Sequence, residues 1–183
     1  MSAVIALLLT GCAITKSQTD PQEAFMERLL ALCGKTLEGR IVSPPVPADA
    51  DFAGKRLVMH VRDCSPSEFR IPFHVGEDRS RTWVISRTST GLLLKHDHRH
   101  EDGTEDKLSQ YGGETVQQGT PRRQEFPADQ FSKDLFVREN IPQSVTNVWA
   151  LEVEPPAFVA YELRRPNRFF RVEFGPQAAN PSR

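Results

Sequence analysis

Between residues 57 and 75 the apolar side chains recur at every second position, and this period limits the fold more than any other feature of the chain. Leu57, Met59 and Val61 alternate with Val58, His60 and Arg62, and Phe69, Ile71, Phe73 and Val75 alternate with Arg70, Pro72 and His74. An extended chain sends successive side chains to opposite faces, so each run predicts a strand with one apolar face. Residues 63–67 between them predict a hairpin turn. Trp83, Val84 and Ile85 predict a further strand, and Leu92, Leu93 and Leu94 the next, joined through Ser89, Thr90 and Gly91. Residues 95–106 predict the polar tip of a hairpin, with Asp102-Gly103 as its turn. Residues 108–111 predict the returning strand, which Gly112-Gly113 ends, and residues 119–121 a further turn. The last part of the chain predicts a meander over residues 148–153, 158–163 and 169–174.

Two segments break this period. Residues 21–32 predict a helix: Asp20 suits the N-cap, Pro21 the first helical position, and Glu23 the first turn. Phe25, Leu29 and Leu32, flanked by Met26 and Leu30, make its apolar stripe, and Gly34 follows as the stop. Residues 37–42 then predict the first strand, and the prolines at 44, 45 and 47 a loop over residues 43–51. Residues 127–137 predict a second short helix with Phe131, Leu135 and Phe136 on one side. About nine short strands and two helices define one mostly β domain. Because the strands follow each other through short turns, and closure removes exposed edges, an up-and-down antiparallel barrel is expected rather than a sandwich.

Composition narrows the function. With 23 Lys+Arg against 24 Asp+Glu, both signs interspersed, no basic face marks a nucleic-acid partner. The chain is also too varied for disorder and too polar for an integral membrane protein.

The N-terminus holds a different signal. Residues 3–9 form an apolar run too short to span a bilayer, which needs roughly 20 apolar residues. Leu9, Thr10, Gly11 and Cys12 follow in the order of the lipobox of bacterial lipoproteins, which this stretch resembles closely. The resemblance implies a signal peptide over residues 1–11 and cleavage before Cys12. It also implies a diacylglycerol on the Cys12 thiol and an acyl chain such as palmitate on the new N-terminus. Ala13 in place of an aspartate implies an outer-membrane protein facing the periplasm or the cell surface. Residues 12–20 are then a lipidated tether, residues 21–176 the barrel and residues 177–183 a disordered tail. A helix leading through Gly34 and Gly39 into the first strand resembles the calycin pattern of lipocalin-like barrels. From Trp83 to Gly113 the chain is similar to an uncharacterised family of proteobacterial secreted proteins, a likeness that carries no activity.

With Cys12 given to lipid, Cys33 and Cys64 remain. In an oxidising periplasm such a pair is expected to bond, the alternative being two buried thiols.

The conspicuous polar cluster is His96-Asp97-His98-Arg99-His100-Glu101-Asp102. On a strand the three histidines share a face, and a His-x-His pair is a way to offer two nitrogens to zinc. A two-residue Asp102-Gly103 turn would set His100 opposite Glu105, so His98, His100 and Glu105, with His96 behind, are the candidate ligands of a divalent metal. The competing reading is a solvated hairpin tip. His60 and His74, on adjacent strands, form a weaker candidate pair. Glu152 and Glu154 are candidate paired carboxylates, and Arg164, Arg165, Arg168 and Arg171 a candidate site for anionic lipid. No nucleophile elbow or phosphate loop is present, and no catalytic residue is assigned.

Three functions remain in view. The first is a non-catalytic binding barrel for a small apolar ligand, argued from the fold alone. The second is a structural or interaction protein of the cell envelope with a filled core and an envelope protein as partner. The third is a metal-binding protein using the histidine hairpin.

Overall fold

The computed structural model describes residues 20–175, so the stretches expected to form the signal peptide, the lipobox and the C-terminal tail lie outside the described residues. Helix α1 (Pro21–Leu30) leads into β1 (Thr36–Ile41), and a proline-rich loop then leads to β2 (Leu57–His60). The two-residue β3 (Asp63–Cys64) precedes β4 (Glu68–Val75), β5 (Asp78–Arg87), β6 (Leu92–His98) and β7 (Tyr111–Glu114). After β8 (Arg123–Pro127) and α2 (Gln130–Arg138), the chain ends in β9 (Val148–Glu154), β10 (Phe158–Arg165) and β11 (Arg168–Phe174). Neighbours in the antiparallel sheet run β7-β6-β5-β4-β2-β1-β11-β10-β9-β8, with β3 added beside β4. Because β1 pairs with both β2 and β11, the sheet wraps into a nearly closed up-and-down barrel, open only between β7 and β8. That is the architecture the calycin resemblance implies. Among the described residues no helix is long and apolar enough to cross a membrane.

The period of two sets which side chains enter. Leu57, Met59, Val61, Phe69, Ile71, Phe73 and Val75 are all buried, as their alternation predicts. In α1 the side chain of Asp20 accepts from the amides of Gln22 and Glu23, and Phe25, Met26 and Leu29 face the core. Leu32 is buried just beyond the helix, while Leu30 is exposed.

The seam between β7 and β8 departs from the sequence expectation. Gly112 and Gly113 do not end a strand but lie within β7. A Cβ at Gly113 would stand 1.8 Å from the carbonyl oxygen of Pro127, and one at Gly112 1.8 Å from that of Leu94. Only glycine lets backbone approach backbone so closely on both sides. Helix α2 covers the seam: the Gly112 amide donates to Ser132 Oγ at 2.7 Å, and the Asp129 amide donates to the Gly112 carbonyl at 2.9 Å. Strand β8 was invisible in the sequence, because its inward residues are Gln124 and Phe126 and a polar residue at one of two positions erases the period. Pro127 ends that strand instead of starting the helix. Helix α2 begins at Gln130, where Asp129 caps the Ser132 amide, and it buries Ser132, Leu135 and Phe136 while Phe131 is exposed.

Cys33 and Cys64 are joined in a disulfide, which ties the end of α1 to β3.

Candidate functional site

The barrel interior holds a continuous column of rings. It runs from Phe52 to Phe73 (centroids 6.3 Å apart), to Trp83 (4.7 Å), to Tyr161 (4.4 Å), to His96 (5.8 Å), to Tyr111 (4.5 Å) and to Phe136 (5.4 Å). Phe174 meets Phe73 and Trp83 edge-on, and Trp149 lies beside His96 and Tyr111. Trp83, Trp149, Phe170 and Phe174 are no more than 2% exposed. Offset and edge-to-face ring pairs at these spacings are packed contacts. The rings lie side by side on neighbouring strands and, with the apolar core around them, pack the interior of the barrel at this level.

Within the column sits one buried polar knot. His96, on the inward face of β6, is 2% exposed. Its Nδ1 lies 3.1 Å from the Tyr111 carbonyl oxygen and its Nε2 2.8 Å from the Tyr161 hydroxyl. The carbonyl can only accept, so Nδ1 carries the proton and Nε2 accepts from Tyr161. Both nitrogens are satisfied and the ring is neutral. Burial, aided by neighbouring His98, pushes the His96 imidazole down to about 3. His98, nearer the end of the barrel, takes the Tyr111 hydroxyl on Nε2 at 3.3 Å, and burial with the nearby Arg81 cation brings it down to about 4. Burial raises the Tyr111 phenol to about 12 and raises that of Tyr161 as well. The knot is thus a set of neutral groups that satisfy one another, which fixes the core without adding charge.

The candidate metal ligands His96, His98, His100 and Glu105 are not brought together, in keeping with the competing reading of a polar hairpin tip. The hairpin register is one residue away from a two-residue turn: Arg99, and not His100, stands opposite Glu105. His100 closes the turn instead, its amide donating to the Thr104 carbonyl while its own carbonyl accepts from Gly103. Gly103 takes a φ of +85°, which suits glycine and makes room for the extra turn residue. A slip of one residue turns a side chain to the opposite face, so Glu105 joins Arg99 and Gln110 on the face away from the histidines. His96 is spent on Tyr161, His98 on Tyr111, and His100 lies exposed 3.9 Å from Asp106. Among the described residues no group of three His, Cys, Asp or Glu side chains is placed to hold a metal ion. His60 and His74 do lie near each other, since burial, the Arg79 cation and His60 together lower the His74 pKa, but no third ligand joins them among the described residues.

The four late arginines also diverge. Arg164 pairs with Glu125, Arg165 Nη1 reaches Ser144 and Asn147, Arg168 holds Asp49, and Arg171 meets Glu152, Glu162 and Glu173. Nor are Glu152 and Glu154 a catalytic pair: Glu152 belongs to Arg171, and Glu154 to Arg122 and Arg28. Instead the outer face of β8–β11 carries an ion-pair lattice over the fully buried Ala150 and Ala160. Glu162, 5% exposed, sits at its centre between Arg123 and Arg171. These hydrogen bonds outweigh its burial and hold its carboxyl below the usual range.

No pattern in the sequence pointed to Asp49 and Phe52. They lie in the proline-rich loop, where no period operates, yet Asp49 is 4% exposed and Phe52 packs on Phe73 and Phe170. Compared with known protein families, with curated proteins and with solved structures, the chain finds no match.

Proposed function

We propose that this chain is a lipid-anchored protein of the bacterial envelope whose barrel is a filled scaffold, acting on partner proteins through its surface. The single observation that carries the filled-scaffold reading is the unbroken series of packed rings from Phe52 to Phe136, which crosses the interior where a barrel carrier would keep its ligand. The anchor rests on Leu9, Thr10, Gly11 and Cys12 in lipobox order. A balanced ion-pair lattice on the outer face agrees with a protein held at its membrane by lipid and not by charge.

Two measurements test this. In mass spectra of the protein extracted from membranes, the mature chain begins at Cys12 with added acyl mass, and Cys12→Ser sends the protein to the soluble fraction. Titration of long-chain apolar fluorophores leaves the emission of Trp83 and Trp149 unchanged. Saturable one-to-one quenching by such a fluorophore would sink the filled-scaffold reading and restore a lumen carrier. An unmodified N-terminus would remove the anchor.

A further inference from the structure

The loop between β1 and β2 closes one end of the barrel without joining its sheet. Its ends are held to the barrel, where the Val42 amide donates to the Arg171 carbonyl and the Gly76 amide to the Arg56 carbonyl. Between them the backbone hydrogen bonds run within residues 46–55: Asp49 donates to Val46, Ala50 to Pro47, Phe52 and Ala53 to Asp49, and Lys55 to Phe52. The segment can therefore leave as a body without breaking a ladder bond. Two side chains tie it down. The Asp49 carboxylate accepts from Arg168 Nη2 through Oδ1 at 2.6 Å, and the same nitrogen reaches the Ala48 carbonyl at 3.3 Å. The Phe52 ring lies on Phe170 at 4.9 Å and on Phe73, with the Arg81 guanidinium 5.7 Å above it. Arg81 itself is paired with Asp78, so the cation bonded to Asp49 is Arg168, with Arg165 close to both.

This tie is incomplete. Asp49 Oδ2 and Arg168 Nε are both buried without a hydrogen-bond partner. Arginine and carboxylate meet best as two parallel bonds, and here the loop achieves one. A buried donor and a buried acceptor left bare oppose the closed state.

We propose that Arg168 with Phe73, Phe170 and Arg81 is a binding subsite for a compact aryl carboxylate, which the loop fills with its own Asp49 and Phe52. The chemistry of the ligand is copied from the occupant: one carboxylate for Arg168 and one ring for the slot between Phe73 and Phe170. An external carboxylate, free of the loop backbone, can turn to engage both Nε and Nη2. A long chain has no place, since Phe73 is followed directly by Trp83 and Tyr161. The subsite lies at the head of the column and leaves the filled-core reading intact.

The closed loop reduces the apparent affinity by the fraction of molecules in which it stands open. Isothermal titration of the purified full-length chain with 3-phenylpropionate tests this, with 3-phenylpropan-1-ol as the uncharged control. Asp49→Asn, which removes the internal anion, is expected to bind 3-phenylpropionate at least about tenfold more tightly than wild type. Arg168→Gln is expected to lose binding, and the alcohol is expected not to bind. Hydrogen exchange on the wild-type chain gives a second readout that needs no variant to fold: saturating 3-phenylpropionate is expected to speed exchange of the amides of residues 49–55. The proposal is overturned if Asp49→Asn binds no better than wild type, if a folded Arg168→Gln still binds, or if binding leaves the loop amides as protected as before.

Discussion

The barrel is closed at both ends, and by opposite means. At one end α1 inserts Phe25, Met26 and Leu29, is capped by Asp20, and is tied by the Cys33–Cys64 disulfide. There the Gln22 side-chain amide donates to Thr115 Oγ at 2.9 Å, and the Gly34 amide donates to the Val61 carbonyl at 2.7 Å. At the other end a short proline-rich loop inserts Phe52, folds on itself, and is held by one half-satisfied ion pair. The first closure is covalent, apolar and polar at once, so it opens only when the domain unfolds. The second can fail alone. An inserted ring is therefore no measure of permanence; what matters is how firmly the backbone that carries it is tied to the barrel.

The largest expected effect comes from breaking the fixed end. Phe25→Ala removes a fully buried ring and is expected to cost about 3–5 kcal/mol of unfolding free energy in a urea titration. Phe52→Ala, at the half-buried ring of the loop, is expected to cost about 1 kcal/mol or less, because an open loop leaves the rest of the domain folded. Equal losses at the two positions would mean that the ends are closed alike.

Next in size is the staple. Cys33→Ser with Cys64→Ser releases a closure spanning 31 residues and is expected to cost about 3 kcal/mol in the same titration. Exchange of the α1 amides should rise with it, while the loop amides keep their rate.

A third test concerns the knot between the two closures. Above about pH 6.5 His96 is neutral in the folded and the unfolded chain alike. Below that value the unfolded chain takes up a proton that the folded imidazole, held down to about 3, refuses. Stability is therefore expected to fall as the solution is acidified, by about 2 kcal/mol from His96 between pH 6.5 and 5, with His98 adding in the same direction. The double variant His96→Phe with Tyr161→Phe removes the titrating group and its donor together, and is expected to flatten this part of the curve. A slope that survives in that variant would assign the acid sensitivity to other groups.

The smallest effect on global stability, and the most local, is expected from the ion pair. Arg168→Gln is expected to speed trypsin cleavage after Lys55 or Arg56 about tenfold while changing the melting temperature by only a few degrees. Cleavage rates equal to wild type would show the loop to be held by something other than Asp49.

Much of the architecture was legible in the chain. The alternation of Phe69, Ile71, Phe73 and Val75 gave a strand with its inner face, and Asp20, Pro21 and the Phe25–Leu29 stripe gave α1, because local geometry alone fixes both periods. Where the outcome depended on something distant, local signals misled. Gly112 and Gly113 read as a stop because glycine often is one, yet here they serve a close approach to Leu94 and Pro127 from two sides. Gln124 concealed β8, since its amide is satisfied by the carbonyls of Gln118 and Thr120, partners no pattern announces. The histidine hairpin failed as a metal site on one residue of register, which the turn at Gly103 settled.

The sequence by itself determined that this is a mostly β chain of alternating strands, entered through a capped helix. Those properties follow from side-chain period, turn chemistry and residue order, each of which acts over a few residues. Only the tertiary structure decided that Trp83, Tyr161, His96 and Tyr111 share one column and that Glu162 lies beneath two arginines. It alone brought Asp49, from a loop without pattern, to Arg168 across 119 residues. Closing a sheet on itself joins residues by strand order and register, and register is set by turns and bulges that shift a whole face at the cost of a single residue.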